Sequence, residues 1–442
     1  MSDSDSETAQ VPSEPDSDSE TPPENSKAAQ WFREEEDFTI YGVPPEIFER
    51  DRKAYQPKAV CIGPFFREWR HRGHLEVMQQ YKWECTKRLM PKKDTREKCL
   101  TEMKELEASV RQKYSEKFPK IISDDFARML MLDGCFLLHL LRRYAPGPEE
   151  PKSGHKEAKL LVGRMQIWEL VRYDLLLLQN QIPFCVIQRL HEFLYPDDSN
   201  TNLVDCAINF FSSLRPCRKL KQSRFYIQVK DVHHLLHLIY SSLLPCPKYG
   251  TSSSGPKSSR RWIPSATELQ LAGMNFKRRE SANGFLSFLD VKFSDGVMEI
   301  PKIKVHDYST TFFRNLIAWE QCFPRTECHV TAYAFFMNFL INTEKDMRLL
   351  HLKEILIDLT TVDKDKGATH FFSRLCNEVG NNKNYLGKLF SDVMDYHDTP
   401  LNKWRAELNE KYFKSPLTII SLTAGAIALP LSVASNIKNI FF

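Results

Sequence analysis

The most apolar stretch of the chain lies near its middle, at residues 174–187. Projected onto a helix, it is apolar on every face for two turns, and four consecutive leucines (residues 175–178) form its centre. A helix of this kind belongs inside a core. Polar side chains buried with it need hydrogen-bond partners there. The polar positions in this stretch are Asp174, Gln179, Asn180 and Gln181.

Pro183 interrupts this pattern, because proline lacks a backbone N–H and clashes with the carbonyl four residues earlier. We therefore expect the helix to kink or restart between Gln179 and Pro183. Asn180 and Gln181 then lie where backbone groups are freed. Two roles are open for them, a structural polar clamp or a ligand-binding or catalytic role. Buried polar networks usually specify packing, which favours the clamp.

Apolar residues recur at helical spacing along much of the remaining chain. Ser123 is placed to cap the helix that follows it. A different expectation applies to residues 40–70, where prolines at 44, 45, 57 and 64 predict an extended path over the surface. The predicted helices cover residues 96–117, 124–144, 203–214, 229–244 and several segments between 311 and 412, separated near Pro324, Asn342 and Gly380.

Strands are predicted only at about residues 285–306, where β-branched and aromatic residues flank Asp295-Gly296. Asp-Gly between apolar runs indicates a β-hairpin. The predicted fold class is therefore mainly α: a large helical domain with one small hairpin, preceded by a disordered acidic tail and followed by a single transmembrane helix. The predicted boundaries are 1–38 for the tail, 39–412 for the domain and 415–437 for the membrane segment.

The two ends of the chain differ sharply in composition. Eight acidic residues precede the first lysine, Lys27, and almost nothing there can form a core, which predicts disorder. Between Lys414 and Lys438 lie twenty-three uncharged residues, Ser415 to Ile437, long enough to cross a bilayer. The alternative is a buried or interfacial helix. As a tail anchor, the segment predicts a single-pass protein of the plasma membrane, in contact with the lipid bilayer and with its bulk in the cytosol.

Composition and motifs nominate no catalytic, cofactor-binding or metal-binding residue. A net charge of +4 is too balanced to indicate nucleic-acid binding, and eleven cysteines without a CxxC pair favour reduced thiols. Residues 250–258 only faintly imitate a phosphate-binding loop. His233 and His237 have a spacing that can bind zinc, but no HExxH pattern surrounds them. Cys322, Cys328 and His329 lack a second cysteine pair.

Several blocks of sequence resemble, in order, those of the plant DUF247 family, also called UPF0481 proteins. They include IYGVPPEIFE (40–49), AYQPKAVCIGPF (54–65), MLDGCFLLHLL (131–141), DLLLLQNQIPF (174–184), IPSATELQLAGMNF (263–276) and FFRNLIAWEQC (312–322). The family has no established enzymatic activity. The resemblance marks these motif residues, which we interpret as structural: Gly63, Pro64, Asp133, Gly134, Asp174, Asn180, Gln181, Pro183, Pro264, Ser265 and Asn315.

Two classes of function are consistent with these features. The resemblance and the predicted anchor favour a membrane-anchored, non-enzymatic interaction or signalling protein with an unknown protein partner. Some family members in grasses are associated with self-incompatibility recognition, which makes such a link an expectation here. The alternative is a membrane-associated enzyme whose site is assembled from residues distant in sequence.

Overall fold

The computed structural model describes residues 38–143, 167–198, 200–214, 227, 229–244, 262–280, 286–360, 367–380, 384–411, 428 and 430. The chain divides into two units, Met1–Phe38 and Thr39–Phe442. Apart from Phe38, the predicted acidic tail lies outside the described residues, and so does the imitation phosphate loop at 250–258. The helices and strands of the described residues all belong to the second unit.

The second unit is mostly helical. Its helices are α1 Pro45–Arg50, α2 His74–Leu89, α3 Lys93–Arg111, α4 Ser123–Arg142, α5 Ile167–Asp174, α6 Phe184–Leu194, α7 Leu203–Phe210, α8 Leu235–Leu243, α9 Ala266–Leu271, α10 Ser309–Cys322, α11 His329–Leu340, α12 Glu344–Leu352, α13 Gly367–Leu375, α14 Gly387–His397 and α15 Pro400–Lys411. Short 3₁₀ helices are Arg52–Ala54, Arg67–Trp69 and Val229–Asp231. The strands are β1 Asn275–Arg279, β2 Lys292–Ser294, β3 Val297–Pro301, β4 Ile303–Val305 and β5 Leu356–Asp358.

Helix α4 forms the centre of the N-terminal half and packs against α2, α3, α6 and α7. Its helical spacing was predicted correctly, but the predicted cap was not. Ser123 is the first helical residue rather than the cap, and its hydroxyl donates to Glu107. Gly134 allows α4 and α6 to approach closely, since a Cβ there would lie 2.3 Å from Leu190 Cδ1.

The central apolar stretch is buried as predicted, but it is not one helix. Helix α5 ends at Asp174, α6 begins at Phe184, and residues 175–183 between them are irregular. Leu175 to Leu178 are each at most 1% exposed. The predicted restart at Pro183 is therefore confirmed, whereas a helical conformation for the four leucines was wrong.

The predicted hairpin is present, because β2 and β3 pair antiparallel on either side of Asp295-Gly296. The confinement of strands to this region was wrong. Strand β1 pairs parallel with β3 to make a three-stranded sheet of order β1-β3-β2, and β4 pairs parallel with β5 in a second sheet. β1 (NFKRR) ends in three consecutive basic residues, so it lacks the alternation that identifies a strand. β5 has only three residues, so it is too short to be identified.

The predicted transmembrane helix requires a correction. No helix in the described part of the chain combines the length and apolar character needed to cross a membrane. The last described helix of any length, α15, has 12 residues and is rich in charged and amide side chains. Of residues 415–437, only Ala428 and Pro430 are described; Ser415 and Ile437 are not. The fold is therefore mostly helical with a few strands, and we do not propose a membrane anchor.

Candidate functional site

An extended segment of residues 55–64, here called the strap, runs through the core instead of over the surface as predicted. Val60, Cys61 and Ile62 are each at most 1% exposed, and no residue of the strap belongs to a strand. Buried backbone N–H and C=O groups need hydrogen-bond partners. Since no neighbouring strand supplies them, side chains from other elements do so, and several of these side chains are the motif residues.

Asp174, the last residue of α5, binds the first half of the strap. Its carboxylate accepts hydrogen bonds from the backbone N–H groups of Lys58 (2.9 Å), Ala59 and Val60 (2.8 Å). Burial raises the pKa of Asp174 to about 7, although these N–H donors oppose the rise. One carboxylate thus satisfies three consecutive backbone donors, as a strand neighbour or a helix cap otherwise would.

Asn180 continues this pairing along the strap. Its Oδ1 accepts from the Ile62 N–H at 2.6 Å, and its Nδ2 donates to the Val60 carbonyl at 2.9 Å. The same Nδ2 also donates to the carbonyl of Asp174 at 2.8 Å. The side-chain amide therefore pairs with alternate backbone groups of the strap and ties them to the end of α5.

A buried charge cluster binds the end of the strap. Asp133 of α4 accepts from the Gly63 N–H (2.9 Å), from Arg70 Nη2 (2.6 Å) and from Lys82 Nζ (2.6 Å). Arg70 also donates to the Gly63 carbonyl and Lys82 to the Cys61 carbonyl. Asp133 and Lys82 are completely buried and Arg70 is 6% exposed. The cluster carries two cations on one carboxylate, held in place by strap backbone.

The ionisation of this cluster is set by its burial. Burial works to raise the pKa of Asp133, but Arg70 and Lys82 together hold that pKa below its usual value. Burial lowers the pKa of Lys82 to about 8 against the opposing attraction of Asp133, and it raises the pKa of the Cys61 thiol to about 11. At neutral pH the carboxylate is therefore charged and the thiol is protonated.

Two further amides support the irregular residues 175–183. Gln181 Nε2 donates to the carbonyls of Leu175 (2.7 Å) and Leu177 (2.9 Å). Asn315 of α10 accepts from the Leu178 N–H at 2.9 Å and donates to the carbonyl of Ala54 at 2.9 Å. Backbone groups that a helix would have paired with each other are thus paired with side chains, which is why the leucines remain buried without helical geometry.

Gly63 lies where the strap meets Gln181. It has a φ of +71°, and a Cβ there would lie 2.2 Å from the Gln181 carbonyl oxygen. The same carbonyl accepts from the Tyr114 hydroxyl at 3.1 Å. Only glycine combines this backbone conformation with so close an approach.

The remaining motif residues lie at helix starts or close contacts. Pro64 is buried and its carbonyl accepts from the Arg67 N–H at 3.2 Å, and Pro183 caps α6. Ser265, preceded by buried Pro264, caps α9 in a capping box with Glu268. The motif residues that hydrogen bonds join through the strap are Gly63, Asp133, Asp174 and Asn180. Gln181 and Asn315 hold residues 175–183, and Asn315 also bonds to Ala54, just before the strap.

Sequence reasoning missed Arg70 and Lys82. Lys82 follows Met78 by one helical turn and lies on the face of α2 that buries Leu75, Met78 and Cys85. A lysine at an apolar position of a helix is a signal of a buried ion pair, and it was readable in the sequence. Nothing local marks Arg70, whose partner is 63 residues away.

The histidines and cysteines considered for metal binding do not form a site. His233 precedes α8, and its backbone N–H donates to Nδ1 of His237. The two imidazole rings stack with their centroids 4.4 Å apart. Burial lowers the pKa of His237 to about 3. Cys322 Sγ lies 3.8 Å from the Gly42 carbonyl, and Cys328 lies in the left-handed conformation before α11. Throughout the described ranges, no group of three or more His, Cys, Asp or Glu residues is arranged to bind a metal ion.

Comparison with known proteins assigns the chain that contains this network to a family. DUF247, described as a plant protein of unknown function, matches residues 40–431. The chain belongs to this family. The match to DUF247 contains the strap and all the side chains that bind it.

Two curated relatives of this DUF247 chain come from Arabidopsis thaliana. UPF0481 protein At3g47200 is 28% identical over 429 residues, covering 91% of this chain and 86% of the relative. Putative UPF0481 protein At3g02645 is 20% identical over 499 aligned positions, covering 90% of this chain and 89% of the relative. No solved structure matches the chain.

Proposed function

We propose that this DUF247 protein is a non-enzymatic recognition or signalling protein that acts by binding a protein partner. In this proposal the strap network is a scaffold. Its ionisable groups are enclosed: Asp133 and Lys82 are completely buried and Asp174 is 2% exposed. Each is also bonded to strap backbone. A general acid or base has to reach its substrate, so this arrangement supports packing as the role of the network.

The observation that carries the proposal is the orientation of α15. A surface helix normally turns an apolar stripe toward the core. The inner side of α15 combines the half-buried Ala406 and Leu408 with two amides: Asn402 Nδ2 donates to the Tyr396 carbonyl (2.8 Å) and Asn409 Nδ2 to the Leu271 carbonyl (3.0 Å). Leu401 is 78% exposed and Trp404 is 63% exposed. They are three residues apart and lie on the same side of the helix.

This outward apolar side favours a protein partner with an apolar centre. Burying one large apolar side chain contributes about 1.5–3 kcal/mol, and tryptophan is enriched among the residues that dominate binding energy. Lys403, whose side chain is 55% exposed, precedes Trp404 and pairs with Asp398 of the same chain at 3.4 Å. The proposal covers recognition in general and does not extend to self-incompatibility, for which the described residues provide no observation.

The test uses the full chain with Leu401→Glu and Trp404→Glu combined. Proximity labelling in plant cells identifies proteins near the wild-type chain, and purified candidates are then titrated by calorimetry. We expect at least one candidate to bind the wild-type chain and to lose about tenfold or more in affinity with the double variant. Ile122→Glu is the matched control, because Ile122 is 65% exposed and lies at the start of a different helix, α4.

Binding that is equal for the wild-type chain and the double variant would overturn the role of α15. A partner that depends on neither α15 nor Ile122 would also count against it. If no purified protein binds the wild-type chain, the proposed function itself fails.

A further inference from the structure

A cavity of about 320 Å³ lies between α6 and the segment that leads into α7. This volume falls at the lower end of the range for small-molecule sites, about 300–1,000 Å³. All but one of its lining side chains carry hydrogen-bonding groups. The lining residues are Gln188, His191, Glu192, Asn200, Thr201, Asn202 and Leu203.

His191, one of the lining residues, contacts an ion pair between distant parts of the chain. Arg142, at the end of α4, donates to Asp198 Oδ2 at 2.6 Å, and its Nη1 lies 2.9 Å from His191 Nε2. The guanidinium lies 3.7 Å from the ring centroid of Tyr195. Arginine in such a stacked, paired position loses little further entropy when a ligand arrives. The His191 side chain is thus held in place before a ligand binds.

The segment that leads into α7 is held by the same aspartate. Asp198 accepts from the Thr201 N–H at 3.1 Å and from the Thr201 hydroxyl at 2.7 Å. Asn202 caps α7, because its Oδ1 accepts from the Val204 N–H at 2.9 Å. This cap uses the amide oxygen of Asn202 and leaves the amide nitrogen outside the cap. Side chains that are held in place before a ligand arrives reduce the entropic cost of binding.

The protonation of His191 is set by its partner. Arginine can only donate, so Nε2 of His191 accepts and the neutral ring carries its proton on Nδ1. Burial, together with the charge of Arg142, lowers the pKa of His191, which keeps the ring neutral at physiological pH. The uncharged ring therefore has its one N–H donor at Nδ1.

Glu192 is the charged carboxylate among the lining residues. Arg142 is matched by Asp198, and Arg189, which lies 3.8 Å from Glu192, pairs more closely with Glu102 at 2.8 Å. A phosphate or carboxylate ligand would find no unpaired cation among the lining residues. An apolar ligand would meet only Leu203 as an apolar side chain. The lining instead offers a dense set of neutral donors and acceptors.

We propose that this cavity binds a neutral polyhydroxyl ligand the size of one sugar ring. Side-chain amides present a donor and an acceptor side by side, and neighbouring sugar hydroxyls, which both donate and accept, match that arrangement. The volume lies at the lower end of the range for small-molecule sites, which suits a ligand of one ring in an open pocket. The ring can be a free monosaccharide or the terminal residue of a glycan. This site involves no residue of α15, so it goes beyond the protein-binding function proposed above.

The test uses the full chain and saturation-transfer NMR, followed by calorimetric titration. The probes are D-glucose, D-galactose, N-acetyl-D-glucosamine and myo-inositol, each together with an oligosaccharide that ends in the same sugar. We expect saturable binding of at least one probe with a millimolar Kd. Tighter binding of the oligosaccharide would assign the site to glycan ends, and tighter binding of the monosaccharide would assign it to free sugar; both support the proposal.

Two variants place the binding in the cavity. Gln188→Leu and Asn200→Leu each remove hydrogen-bonding groups from half-buried or exposed positions, so the fold should be retained. Each should weaken binding about tenfold without changing the melting temperature. Gln80→Leu, an exposed substitution on α2, is the matched control and should leave binding unchanged. The proposal would be overturned if no probe bound saturably, or if both cavity variants bound the probes as tightly as the wild-type chain does.

Discussion

The strap and helix α15 reverse the usual relation between polarity and position. The strap is buried, and its backbone is held by ionised and amide side chains inside the core. Helix α15 has regular structure, yet it turns amides inward and Leu401 and Trp404 outward. The carboxylates and amides that bind the strap have partners within the chain, whereas Leu401 and Trp404 of α15 are mostly exposed. Substitutions in the strap network should therefore change stability, whereas substitutions of Leu401 and Trp404 should change binding.

The largest effect should come from removing the carboxylate at the end of the strap. Asp133→Ala leaves Lys82 and Arg70 buried without their counter-ion, which should cost about 3–5 kcal/mol of unfolding free energy. Urea denaturation followed by circular dichroism measures it. The matched control is Asp125→Ala, which breaks the half-exposed pair with Arg67 and should cost at most about 1 kcal/mol. Similar losses for the two variants would contradict a special role for burial.

The contact between the strap and Gln181 should be nearly as sensitive. Gly63→Ala places a Cβ against the Gln181 carbonyl at a positive φ, so we expect a loss of about 2–4 kcal/mol. Gly73→Ala is the control. Gly73 also has a positive φ (+49°), but nothing lies within 4 Å of the position that a Cβ would occupy, so only backbone strain of about 1–3 kcal/mol is expected. A larger fall in melting temperature is expected for Gly63→Ala because of the close approach, and no difference would argue against it.

Asn180→Leu should destabilise the whole domain, with no selective loss of partner binding. It leaves the Ile62 N–H and the Val60 carbonyl without their partner at about 1–3 kcal/mol each. Chemical denaturation measures the loss, and a binding titration is done on the remaining folded protein. A variant with a normal melting temperature that lost only partner binding would make Asn180 a functional residue instead of a scaffold residue.

Asp174 should give the strap a measurable pH dependence. Its folded pKa, about 7, lies above its unfolded value of 3.8, so the native state binds a proton that the unfolded state does not. Stability should therefore rise as the pH falls from 8 toward 5, by up to about 1.4 kcal/mol per pH unit.

Asp174→Asn isolates this contribution, because asparagine resembles the protonated carboxyl. The histidines change stability in the opposite direction: burial lowers the pKa of His234 and His237, so their contribution is lost as the pH falls below 6.5. The quantity to measure is the unfolding free energy of the wild-type chain minus that of the variant. A difference that stays constant between pH 8 and 5 would show that Asp174 does not titrate in this range.

The smallest effect on stability should come from α15. Trp404→Glu changes a side chain that is 63% exposed, so the unfolding free energy should change by no more than about 0.5 kcal/mol. Thermal denaturation measures it beside Asn180→Leu. Truncation of a buried side chain typically costs about 2 kcal/mol or more of unfolding free energy. A loss of that size would show that Trp404 is covered in the folded full chain and would remove the contrast with the strap.

Much of the fold was predictable from local sequence. Helical spacing located α3 and α4, Asp295-Gly296 located the β2–β3 hairpin, and the run of leucines indicated burial. The need for partners at Asn180 and Gln181 was also evident, because unpaired amides in a core are costly. These features depend on residues within a few turns of each other, so the sequence contains their cause directly.

Only the tertiary structure decided where the partners come from. Lys82 reaches Asp133 across 51 residues, Asn180 reaches the strap across about 120, and Asn315 reaches Leu178 across 137. These bonds allow residues 175–183 to leave the helix and allow the strap to enter the core without a neighbouring strand. The parallel pairing of β1 with β3 is non-local in the same way. Local periodicity contains no information about such contacts, because the groups that satisfy a buried backbone are selected by their position in space and not by their spacing along the chain.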